Sequence, residues 1–216
     1  LVTALEDLEH ADVPIAIHLI AHECAHVEVT SRFDDAFPNV LLQPLYGSYY
    51  DSFRSQVILS CWDEFAATWI GAPYGFDPTL NYEATLLDAL KDVRERGHAA
   101  IKLYRDHADL EQMWAEVSRG YGDLLKISAY VLGNMEGRNL ELTDRPDLAA
   151  ALKDHWFLPR FEQLRERCRA VAKEYGAWKD RDAFEAIGNL ADDLLADGGI
   201  VVVHQDDGGV YLHVPF

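Results

Sequence analysis

Two histidines four residues apart, with a glutamate beside the first, form the stretch His22-Glu23-Cys24-Ala25-His26, a grouping that can do chemistry on a metal ion. On a helix, His22 and His26 stand one turn apart on one face, so both imidazoles can hold a single ion. Glu23, about 60° round from His26, reaches that ion's open side. Zinc held by two neutral imidazoles and one carboxylate keeps a fourth position for water and lowers that water's pKa toward about 7; a neighbouring glutamate then takes the proton as general base. Random placement at this composition gives roughly 0.03 such matches in a chain of this length, so the pattern is specific.

The third ligand has to come from elsewhere. Val57-Ile58-Leu59-Ser60-Cys61-Trp62-Asp63-Glu64-Phe65-Ala66-Ala67-Thr68-Trp69-Ile70 reads as a helix apolar almost all round, ended by Gly71 and Pro73. Adjacent carboxylates inside such a helix need a compensating cation, which makes Glu64 the best third zinc ligand. Cys61, one turn earlier, is the second choice, and Asp63, about 100° round, is free to orient a ligand histidine. The competing reading of the acidic pair is an ion pair with an arginine from the helical half of the chain. His18, one turn ahead of His22, is either a further ligand or a neighbour with its own hydrogen bonds.

The motif helix should begin with Asp12 as cap and Pro14 in its first turn and run to about Thr30. Ile15, Ile17, Leu19, Ile20, Ala21, Cys24, Ala25, Val27 and Val29 leave it little polar face, so burial is expected on all sides. Cys24 is expected in the core, pointing away from the metal. Regular periodicity lapses between Ser31 and Ser55, where Pro38, Pro44 and Gly47 mark a loop carrying Tyr46, Tyr49 and Tyr50. Such a loop is a natural lid, and a tyrosine hydroxyl from it could stabilise an oxyanion.

The HECAH motif followed by Glu64, with 37 residues between His26 and that glutamate, resembles the gluzincin group of zinc metallopeptidases. Glu64-Phe65-Ala66-Ala67 is weakly similar to the Glu-x-x-x-x-Ala helices of ImmA/IrrE-type peptidases. The resemblance covers residues 15–72. It implies His22, His26 and Glu64 as zinc ligands, Glu23 as general base and a peptide or protein as substrate. Peptidases of this kind align substrate along a sheet edge before the motif helix. Residues 1–14 are too short and helix-like to supply one, so the edge is expected from upstream of Leu1 or from a C-terminal hairpin. Two other readings fit the same three ligands: a non-haem Fe(II) oxygenase, which also uses two histidines and a carboxylate, and a non-catalytic helical binding protein with a vestigial site.

Composition bounds the rest. At 216 residues and 49% hydrophobic, the chain can bury a substantial core, and a single domain over 1–216 is expected. Its parts are a metal-site region at 1–80, a helical bundle at 81–197 and a β-hairpin at 198–216. With 37 acidic against 19 basic residues, a net charge of −18 and no basic cluster, nucleic acid and anionic membrane are excluded as main partners. The cysteines Cys24, Cys61 and Cys168 form no spaced framework, which predicts free thiols in a reducing, cytoplasmic compartment. The chain opens at Leu1 rather than a methionine, leaving room for residues upstream.

Helical periodicity runs through 82–96, 99–107, 110–132, 148–156, 161–175 and 182–196, predicting a mainly α fold, a bundle around the two motif helices. Trp114, Tyr121, Tyr130, Trp156 and Trp178 are expected in its core. His98, His107 and His155 are isolated candidates for a proton donor. Two β-branched runs around Gln205-Asp206-Asp207-Gly208-Gly209 predict the hairpin, with His204 and His213 as cross-strand neighbours.

Overall fold

The computed structural model describes residues 12–41, 48–206 and 209–214. It is mainly helical with a small C-terminal antiparallel hairpin. In chain order the elements are α1 (Val13–Ala36), α2 (Tyr49–Gly71), α3 (Thr79–Leu90), α4 (Val93–His107), α5 (Leu110–Gly137), a 3-10 turn (Leu142–Asp144), α6 (Pro146–Leu152), α7 (Leu158–Lys173), α8 (Asp182–Asp197), β1 (Val201–His204) and β2 (Val210–His213).

The two apolar motif helices fold back on one another. Gly71 lies against the backbone of His22, Asp63 against His26, and Leu59 and Ser60 share a groove with Val29 and Phe33, so α1 and α2 run antiparallel. This is a helical hairpin, and it places the middle of α2 opposite the HExxH turn. On its other side α2 runs alongside α5 in the same direction. Gly122 faces Phe53 and Val57, Gly133 faces Phe65 and Thr68, and Gly137 faces Trp69 and Ala72. At Gly133 and Gly137 the missing side chain is what lets the two backbones approach. α2 is therefore central, with Cys61, Phe65, Ala66 and Ala67 fully buried and Trp62 nearly so.

α1 is buried on one stripe only, through His18, His22, Ala25, Val29 and Phe33. The expectation of burial on all sides is corrected here: Leu19 is 54% and Val27 71% exposed, and Ile15, Ile17 and Cys24 also face outward. The reason is position, since α1 lies at the edge of the bundle with α2 as its main partner. Cys24 is on that outer side and is not a core residue. The helix also runs further than its punctuation suggests. Phe33 extends the Val29 stripe by one turn, and the helix closes only at Ala36.

α2 starts earlier than expected because Ser48 caps it, its side chain accepting from the Asp51 N–H at 3.1 Å. The connection thus shrinks from residues 31–55 to 37–48. Tyr49 and Tyr50 are helical, and Tyr46 lies outside the described residues. Tyr50 is no lid residue. It is buried, donates to Asp192 on α8 at 2.9 Å, and meets the ring of His204 on β1 edge-on. In the hairpin, Val201 faces His213 and His204 faces Val210, so the two histidines are not cross-strand neighbours. Trp114, Tyr121 and Trp178 are buried as expected, whereas Trp156 and Tyr130 are only partly so. The expected stretch 82–96 is divided at Lys91 and Asp92 into the end of α3 and the start of α4.

A methyl group on Gly133 would collide with the Thr68 hydroxyl and the Phe65 carbonyl, both in rigid parts of α2. Gly133→Ala should therefore destabilise the protein by about 2–3 kcal/mol through overpacking, lowering the melting temperature by roughly 5–10 °C. Thermal unfolding followed by circular dichroism checks this. An unchanged melting temperature would show that α2 and α5 are not in close backbone contact.

Candidate metal centre

His22, His26 and Glu64 converge. His22 Nε2 and His26 Nε2 are 3.0 Å apart, and Glu64 Oε2 lies 3.7 Å from the first and 3.4 Å from the second. Tetrahedral zinc with ligand bonds near 2.0–2.1 Å requires donor atoms about 3.3 Å apart, which these three separations bracket. Among the described residues this is the group of His, Cys, Asp and Glu side chains whose ligand atoms meet closely enough to share an ion. The folding of α1 onto α2 accounts for it, since the hairpin brings Glu64 to the level of the histidine turn despite the long intervening sequence.

The chemistry of the donors supports the same fit. Glu64 Oε2 is buried and has no hydrogen-bond partner, and neither has His22 Nδ1. A buried carboxylate oxygen without a donor is costly, and here it faces two imidazole nitrogens across a gap of ion size. His26 is oriented from behind, its Nδ1–H donating to Asp63 Oδ2 at 2.9 Å, which leaves the Nε2 lone pair directed at the same point. Burial raises the Asp63 pKa, opposed by this bond from His26. Glu23 is exposed on the outer edge of α1, one residue from His22.

Two further helices close the site. On α5, Lys126 and Tyr130 are one turn apart. Lys126 Nζ lies 3.1 Å from Glu64 Oε1, and the Tyr130 ring stacks on His22 with centroids 5.9 Å apart. Burial, and then a hydrogen bond to Glu64, push the Tyr130 hydroxyl well above its ordinary pKa and keep it neutral. On α3, Tyr82 packs against Tyr130, and its hydroxyl is 3.4 Å from His18 Nε2; burial pushes its pKa up to about 12. His18 is buried beside His22 but lies outside the group of converging ligand atoms.

Lys126 was not legible as a site residue. The buried acidic pair predicts a cation, a metal ion first and an arginine as the competing reading, yet a lysine reaches Glu64 from another helix. Glu64 therefore has an ammonium on one oxygen and the two imidazoles at the other. Tyr130 was read as core. Its spacing of four from Lys126 was the available signal, but nothing local tied either residue to α1. Cys61, the second choice as ligand, is fully buried, and burial pushes its thiol up to about 12, away from the thiolate a metal needs. His107, at the end of α4, and His155, between α6 and α7, each accept a backbone N–H two residues ahead and lie outside the converging ligand group.

No family model matches the chain, no curated protein matches it, and no solved structure matches it.

Burial lowers the pKa of both His18 and His22, in the latter case helped by the neighbouring His26. An imidazole whose folded-state pKa lies below its value in the unfolded chain is protonated first in the unfolded state. Such a group leaves stability unchanged above pH 6.5 and removes it as pH falls through 6.5. The metal-free protein should therefore melt at a lower temperature at pH 5.5 than at pH 7.5. The difference should shrink in the His18→Gln, His22→Gln double variant. Melting curves in chelator at the two pH values check this, and an equal difference in both proteins would exclude these histidines as its source.

Proposed function

We propose that the protein is a zinc-dependent hydrolase of metallopeptidase type, cleaving an amide bond in a peptide or protein. The observation that supports this best is the convergence of His22, His26 and Glu64 beside an exposed Glu23. Three protein ligands leave a position free for water, the arrangement of catalytic rather than structural zinc sites. When bound, zinc supplies the Lewis acidity that activates water at neutral pH.

The chain's own residues divide the remaining work. His22 and His26 would hold the ion through Nε2 as neutral imidazoles, and burial, which lowers the pKa of His22, favours its neutral form. Asp63 holds His26 in the tautomer that exposes Nε2. Lys126 anchors one oxygen of Glu64, leaving the other directed at the histidines. Glu23, free of the ligand set, accepts the proton of the attacking water and returns it to the leaving amine. Tyr130 keeps its proton and closes the inner wall of the site against bulk water.

These roles separate by mutation. Glu23→Gln should retain a full equivalent of zinc and lose about 10²–10⁴-fold in peptide hydrolysis, the usual worth of a positioned proton acceptor. Glu64→Ala should lose most of its zinc, and Asp63→Asn should weaken zinc binding by about 10–100-fold. Metal content by elemental analysis, alongside hydrolysis of a mixed peptide pool followed by mass spectrometry, reads all three. Equal loss of metal from Glu23→Gln and Glu64→Ala would reverse the assignment. Protein that carries iron alone and consumes oxygen would be an oxygenase and would sink the hydrolase reading.

A further inference from the structure

A groove of about 440 Å³ runs along the seam between α2 and α5 and stops at Lys126, one contact short of Glu64. Its inner end is Lys126, the residue that also holds Glu64. Phe53, Val57 and Trp114 give it an apolar part, and Gly122 beside Phe53 and Val57 places no side chain in it. Arg119 stands on its wall, two turns from Lys126 along α5.

Arg105, Arg119 and Arg167 make no ion pair or hydrogen bond among the described residues of a chain with 37 acidic residues, and of these three Arg119 is the one that lines the groove. Arg54, Arg145, Arg160 and Arg169 are each neutralised by one or two carboxylates. Arg119 makes no ion pair or hydrogen bond among the described residues and is left to face solvent at the groove. On the same wall Asp123, between Arg119 and Lys126, disfavours a carboxylate at mid-groove and confines any anionic group to the Arg119 end.

The seven residues from Lys126 to Arg119 span about 10 Å of helix, and the ligand level lies about one turn beyond Lys126. Extended peptide advances about 3.3–3.6 Å per residue, so three to five residues reach from the metal centre to Arg119. We infer that the α2/α5 groove is the substrate groove and that it takes an extended peptide carrying an acidic side chain three to five residues from the bond to be cut. Arg119 is the selecting residue, through a charge-assisted hydrogen bond to that carboxylate. The inference rests on the hydrolase reading for the cut itself, whereas peptide recognition in the groove does not require it.

The test separates the two. Zinc-loaded Glu23→Gln protein is titrated with capped alanine-serine decapeptides that carry one Glu scanned along the chain, each against its Gln counterpart, with binding read by calorimetry. At the favoured positions the Glu peptide should bind about fivefold tighter than the Gln peptide at low salt. That ratio should collapse to one in Arg119→Ala, and Arg119→Glu should favour the corresponding Lys peptide instead. Zinc content and melting temperature confirm that the variants are folded. Glu and Gln peptides that bind alike at every position, or a preference that survives Arg119→Ala, would overturn the proposal. The same peptides are then given to the wild-type zinc protein and the products located by mass spectrometry. Cuts three to five residues from the Glu support both readings. An Arg119-dependent preference without cleavage keeps the groove and removes the hydrolase, while cleavage indifferent to charge does the reverse.

Discussion

A carboxylate held between packed helices has to be met by positive charge or donors, and the geometry around Glu64 follows from that constraint. One oxygen receives the Lys126 ammonium from α5; the other faces the His22 and His26 nitrogens on α1. Three helices are thereby tied to one side chain, and α3 joins them through Tyr82 against Tyr130. Replacing such a residue with an apolar one would remove the reason for the surrounding polar groups to be there, because each is itself buried or partly buried and partnered through Glu64. Without an ion, Lys126 already offsets much of the Glu64 charge. The site is a balanced polar cluster whose two imidazoles and one carboxylate could hold an ion.

The approach of α5 to α2 is the second requirement. Gly133 and Gly137 bring the helices close beyond the site, and Gly122 keeps a hollow open on the other side of Lys126. One helix pair therefore packs tightly below the metal centre and leaves a groove above it. Small residues do opposite work at the two ends, contact at one and space at the other, because the larger side chains Phe53 and Trp114 hold the seam apart where the groove begins.

How much of this was legible follows from which interactions are local. The HExxH helix and the apolar helix carrying Glu64 could be read from periodicity and from residue types that need each other's charge. The mainly helical class and the hairpin could be read from spacing and turn residues. Helix ends were less legible: Phe33 continues a stripe through a polar segment, and the Ser48 cap lies beside a glycine that looks like loop. The exposed side of α1 was not legible at all, since apolar residues at an edge look the same in sequence as apolar residues in a core. Lys126, Tyr130 and Tyr82 lie 60 or more residues downstream of His22, and only the packing of α5 and α3 brings them in.

α1 is supported near both of its ends. At its start, the Phe76 N–H donates to the Pro14 carbonyl at 2.9 Å, in a turn that calls for glycine at position 75, both for its left-handed backbone (φ +69°) and because a side chain there would strike Pro14 and His18. At its far end, Phe33 and Phe37 lodge among Trp178 and Phe184. The histidine turn is the middle of a beam fixed at two points, so its position does not depend on what it holds. An ion entering a seat of this kind would require little chain rearrangement. The pace of its exchange would be set by shedding water from the ion and protons from the imidazoles, and the binding energy would go into affinity instead of into folding the helix.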